Sequence, residues 1–70
     1  MLRLRYERLQ RGLSQRDVGG CVHIPQPVLA HIENGRFLPY PQQLERLAKF
    51  FGLAPEEVLK PTTIVEEQRA

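Results

Sequence analysis

Few side chains in this chain are spaced for covalent chemistry. Ser14 is the sole serine and Asp17 the sole aspartate. They stand three residues apart, the spacing at which a hydroxyl and a carboxylate cap the start of a helix. No arrangement of base, orienting group and nucleophile is suggested, so no enzyme activity is expected. Cys21 and His23 have the spacing C-x-H, but third and fourth ligands are missing, and neither zinc nor another cofactor is expected. As the single cysteine, Cys21 can close no internal disulfide and reads as an inert, exposed thiol.

The remaining polar side chains suit an anionic partner better. Eight of the ten basic residues are arginines, and five of those eight (Arg3, Arg5, Arg8, Arg11 and Arg16) fall within the first sixteen positions. A guanidinium can give phosphate two hydrogen bonds at once, although a solvated helix face is the plainer reading of the same charges. The net charge of +2 is compatible with a polyanion without being diagnostic of one. Gln26 can pair with N6 and N7 of adenine. His31 on its own reads as an ordinary surface histidine.

These side chains must be positioned by short helices. Seventy residues suffice for one domain with a marginal core. Leu2, Tyr6, Leu9 and Leu13 recur along one face of a first helix near residues 2–11, which Gly12 closes. Ser14 opens a second helix near 15–22, with Val18 and Val22 inward. His23-Ile24-Pro25 breaks the chain. A third helix follows near 26–34, with Val28, Leu29 and Ile32 as its apolar positions and Gly35 just past its end. Pro41 suits the first position of a fourth helix near 41–51, striped with Leu44, Leu47, Ala48 and Phe51. Pro55-Glu56-Glu57 starts a fifth near 55–59, with Val58 and Leu59 inward, and Pro61 stops it. Tyr6, Phe37 and Tyr40 are expected in the core. This predicts an all-α bundle of five helices with no strand pair in residues 1–60.

Residues 61–70 form a tail, either a dimerisation segment or disordered. Thr63 with Glu66 fits a helix cap, and residues 62–65 fit an extended segment equally well. No run of about 18 apolar residues is present and no basic-then-apolar leader opens the chain, so neither a membrane span nor secretion is expected. The reducing cytoplasm is the expected location.

Two helices of about eight residues, joined by a short turn and with Gly19 in the middle of the first, match the geometry that lets one helix enter the major groove. Here the sequence resembles the Xre/Cro-type helix-turn-helix regulators, including phage repressors. The residues that carry the resemblance are Leu13-Ser14-Gln15, Gly19, Val22, Ile24, Leu29 and Ile32-Glu33-Asn34-Gly35. Pro39, Leu44, Leu47-Ala48-Lys49, Gly52-Leu53 and Leu59 continue it.

The resemblance implies a lambda repressor-like DNA-binding domain over residues 1–60 that recognises double-stranded DNA. It implies that Gln15 holds a phosphate and buttresses the recognition helix. Gln26, Pro27 and His31 fall where the family reads base edges, and Asn34 and Arg36 where it touches the backbone. Arg8 and Glu33 match a partly buried ion pair between the first and third helices. The sequence departs from the family at His23, where glycine is usual, and at Pro25, where serine or threonine usually caps the recognition helix. A homodimer is expected, with Phe50, Val58, Ile64 and Val65 as candidate contacts. No small-molecule ligand is evident. The alternative on the same fold is a protein-interaction module, such as an antitoxin or a polymerase-binding regulator, favoured by the apolar Pro27, Val28 and Ala30.

Overall fold

A computed structural model describes residues 1–62. Its elements are α1 (Arg3–Gln10), α2 (Gln15–Val22), α3 (Gln26–Glu33), α4 (Pro41–Phe51) and α5 (Pro55–Val58). The fold is all-α, and among the described residues no strand forms. Proline supplies the first residue of both α4 and α5, where the absent N–H leaves no bond unmade. Gln43 and Glu57 each accept, through side-chain oxygens, from the backbone N–H of the residue preceding their helix, at 2.9 and 3.2 Å. Gly35 and Gly52 follow α3 and α4 at φ 77° and 70°, a conformation glycine adopts without side-chain strain.

The core is one cluster: Leu4, Val18, Val22, Ile24, Leu29, Ile32, Leu47, Ala48, Phe51 and Val58. α4 lies at its centre and packs against α1, α2 and α5, while α2 packs on α3. Backbone hydrogen bonds from Arg3 N to Lys60 O (2.8 Å) and from Thr62 N to Met1 O (2.9 Å) clip the chain start to the segment after α5. Leu2 and Pro61 form an isolated antiparallel bridge within this clip. Residues 61 and 62, assigned to the tail on sequence, are therefore paired with the chain start.

Three expectations are corrected. The inward side of α1 is set by Leu4 and Arg8, not by the stripe of Leu2, Tyr6, Leu9 and Leu13; Leu9 is exposed. A charged residue can occupy the inward line because Glu33 neutralises it. Phe37 and Tyr40 are not core residues. They lie in the α3–α4 connection and are 49% and 74% exposed, with Leu38 between them at 86%. Val58 is no dimer contact: it is completely buried, closing the core from α5. Phe50 stays partly exposed on the flank of α4, edge-on to Phe51 with ring centroids 4.9 Å apart. Ile64 and Val65 lie outside the described residues, as do Thr63 and Glu66.

Candidate nucleic-acid interface

The start of α2 is fixed by its own side chains. The Asp17 N–H donates to Ser14 Oγ at 3.0 Å, and the Ser14 N–H donates to Asp17 Oδ2 at 3.1 Å. The Ser14 N–H, and after it the Ser14 hydroxyl, hold the Asp17 carboxyl below its ordinary pKa, because hydrogen bonds to a carboxylate favour its charged form. With that turn locked, Gln15 becomes the first helical residue and points its side chain toward α3.

The turn from α2 to α3 closes over Gly19. Its carbonyl accepts from the His23 N–H and from the Ile24 N–H, the latter at 3.0 Å. A Cβ placed on Gly19 would stand 2.5 Å from the Ile24 carbonyl oxygen. Only glycine lets the turn come this close. His23 takes the left-handed conformation, φ 60° and ψ 41°, where the family usually has glycine. That conformation costs a residue with a Cβ about 1–2 kcal/mol. Pro25 then precedes α3 without offering a side-chain cap.

A relay of polar side chains runs from the core to the exposed tip of α3. Arg8 donates from Nε to Glu33 Oε2 at 2.8 Å and from Nη2 to Glu33 Oε1 at 3.1 Å, a paired fork in which both residues are buried. Arg8 Nη1 donates to the Leu13 carbonyl at 2.7 Å. Gln15 Nε2 donates to Glu33 Oε1 at 3.1 Å, and Gln26 Nε2 donates to Gln15 Oε1 at 2.9 Å. The direction of the relay follows from chemistry. A guanidinium only donates and a carboxylate only accepts. Gln15 must therefore turn its NH2 to Glu33 and its oxygen to Gln26. Gln26 in turn spends one N–H on Gln15, which leaves one N–H and Oε1 for another partner.

The sequence-derived site residues fall at different places along the motif, with Gln26 belonging both to the relay and to the exposed start of α3. Gln15 and Gln26 join Arg8 and Glu33 in the relay. Gln26 and Pro27 are exposed at the start of α3; Asn34 and Arg36 are exposed beyond its end. His31 is half-buried, its ring 4.7 Å from that of Phe37, so the exposed connection partly covers it. Arg16, not singled out on sequence, is exposed and lines a shallow surface depression with Ser14, Gln15 and Gln26. Its position directly after Gln15 was the available signal.

The N-terminal arginines divide in a way their clustering did not suggest. Arg3 bonds Glu7 at 2.8 Å, Arg8 is buried, and Arg11 donates to the Phe51 carbonyl at 3.0 Å while lying over the Phe51 ring. The side chains of three of the five are thus engaged within the fold, those of Arg8 and Arg11 between elements and that of Arg3 within α1. Among the described residues no three His, Cys, Asp or Glu side chains gather as a metal site, and no helix is long and apolar enough to cross a membrane.

Two short helices locked at a tight turn, the second displaying its first residues to solvent, define a helix-turn-helix protein. Comparison with known proteins agrees. The chain belongs to the helix-turn-helix domain family, whose pattern matches residues 2–60. It is similar to the HTH-type transcriptional regulator DdrOP3 of Deinococcus deserti, with 34% identity over 68 residues. That alignment takes in 97% of this chain and 53% of the relative, so the chain spans about half the length of the curated relative it matches.

Proposed function

We propose that this protein is a transcriptional regulator of the Xre/Cro type, repressor or activator, that binds specific sequences in double-stranded DNA. The observation that carries the reading is the relay from Arg8 through Glu33 and Gln15 to Gln26. It fixes the exposed amide at the tip of α3, and a base-reading group needs that kind of preorganisation. Gln26 offers an acceptor beside a donor, the complement of adenine N6 and N7. Pro27 and His31 face the bases with it. Gln15, Asn34 and Arg36 hold phosphates and set the register, joined by Arg16. Helix-turn-helix membership and the similarity to a transcriptional regulator support the same class.

The protein acts in the cytoplasm as a homodimer, needing no cofactor. Phe50 is the contact supported by its partial exposure, with Ile64 and Val65 beside it in sequence-based expectation. A two-fold dimer places its recognition helices about 34 Å apart, one turn of DNA. Sedimentation at high protein concentration tests this part, and a monomer there rejects it.

The experiment is selection of bound duplexes from a random pool, followed by affinity measurements across salt concentrations. Log K should fall with log salt by about 0.9 per phosphate neutralised. Arg36→Ala should weaken all duplexes alike and reduce that slope. A second reading, a protein-interaction module on the same fold, draws on the exposed Phe37, Leu38 and Tyr40. An affinity for duplex that is absent or indifferent to salt selects that reading.

A further inference from the structure

The tip of α3 has an unusual chemistry for a base-reading element. Pro25, Gln26 and Pro27 are three consecutive exposed residues. The helix that follows, Gln26–Glu33, reads QPVLAHIE and contains neither lysine nor arginine. Its one acid, Glu33, is buried under Arg8 and presents no charge to a partner. The exposed cations lie to either side, Arg16 beside Gln26 and Arg36 beyond the C-terminal end. Phosphate would thus be met at the flanks and base edges at an almost uncharged tip.

Guanine presents two acceptors to the major groove, N7 and O6, and a matching reader needs two donors. Gln26 has one N–H left after its bond to Gln15. The His31 ring is half-buried and partly covered by Phe37. Pro25 and Pro27 have no backbone N–H and no polar side-chain atom. Against guanine or cytosine their rings would strip water from polar edges and return no hydrogen bond, which is unfavourable. Against thymine the same rings meet the C5-methyl group, the one apolar feature of the major-groove edge.

Building on the DNA-binding reading above, we propose that Pro25 and Pro27 read thymine methyl groups on either side of an adenine held by Gln26, so that the base pairs under α3 are A·T pairs. Thymine methyls supply the discrimination that charged side chains supply elsewhere. Apolar contact supplies what this donor-poor tip lacks, and the bond to Gln15 holds the Gln26 amide that lies between the two prolines in the sequence.

The test begins with duplexes selected by the full chain from a random pool. Each thymine of the selected half-site is replaced in turn by deoxyuridine, which deletes the methyl and keeps every hydrogen-bonding group. Affinity should drop about fourfold at each of two positions, the value of burying one methyl-sized group, and stay level elsewhere. Pro27→Ser should abolish the thymine-to-deoxyuridine difference at one of the two positions and leave the other intact. Pro25→Ser should do the converse. Equal affinity for thymine and deoxyuridine at every position, or guanine fixed in the selected positions under α3, overturns the methyl reading and leaves DNA binding standing. Failure to select any duplex removes the DNA-binding reading, and the methyl reading with it.

Discussion

Replacing Gly19 and Gly20 by alanine, one at a time, should move stability in opposite directions. Both glycines lie inside α2, and alanine improves a helix interior by about 1 kcal/mol at either position. Their surroundings differ. Nothing lies within 4 Å of a Cβ on Gly20, whereas a Cβ on Gly19 meets the Ile24 carbonyl oxygen at 2.5 Å and the Gln26 nitrogen at 3.7 Å. The nearest neighbour is backbone, so no side chain can rotate out of the way. Overpacking of this kind costs about 1–3 kcal/mol, and a clash with an immobile carbonyl belongs at the upper end. Gly20→Ala should therefore stabilise by about 1 kcal/mol and Gly19→Ala destabilise by about 2. In a domain of this size that separates the two melting temperatures by more than ~10 °C. Thermal melts followed by circular dichroism, with urea titrations for the free energies, measure the gap. If both variants melt above the wild type, the turn is not closed over Gly19 in the way described. Gly19→Ala should also weaken duplex binding, since relief of the clash displaces the start of α3.

Other perturbations test the remaining supports. Arg8→Ala should destabilise by about 3–5 kcal/mol because it strands a buried carboxylate, and the double variant Arg8→Met, Glu33→Leu should recover most of that loss; equal stability of the single and double variants in urea would refute the pairing. His23→Gly should stabilise by up to about 1 kcal/mol, since relief of left-handed strain exceeds the added freedom of the unfolded chain; a lower melting temperature would refute the strain argument. Asp17 has a folded pKa below its ordinary value, so its contribution is present above the ordinary carboxylate range and fades as pH falls through the lowered value. Asp17→Asn should therefore flatten the acid limb of the stability profile, and an unchanged limb would show that the Ser14–Asp17 cap adds nothing to it.

The five helices were legible because glycine and proline divide the sequence at almost every boundary. The inward side of α1 was not. Periodicity ranks residues by hydrophobicity, and by that measure the Leu2, Tyr6, Leu9 and Leu13 stripe outranks a line containing Arg8. What turns Arg8 inward is Glu33, twenty-five residues away. That pairing entered only through family resemblance, as did the buttressing of the recognition helix by Gln15; the bond from Gln26 to Gln15 was not read from the sequence. Phe37 and Tyr40 misled for a related reason. Aromatic residues are usually core, but a connection between helices runs over the surface, and among the described residues this one stays largely open to solvent. Val58 was assigned two roles at once, inward in α5 and at a dimer contact; complete burial leaves only the first.

The clip between the chain start and residues 60–62 turns an open string of helices into a closed ring. Its bonds join the residues furthest apart in the described sequence, Met1 with Thr62 and Arg3 with Lys60. Among the described residues, closing a loop that long carries the largest entropy term of any contact, although the term grows only with the logarithm of length. Contacts of that span tend to form after local ones. The latch is consequently the natural place for fraying to start, and its amides should exchange with solvent sooner than those inside α4. The same adjacency makes Met1 and Thr62 easy to join. A short linker between them would exchange the latch for a covalent seam and leave the α2–α3 turn untouched.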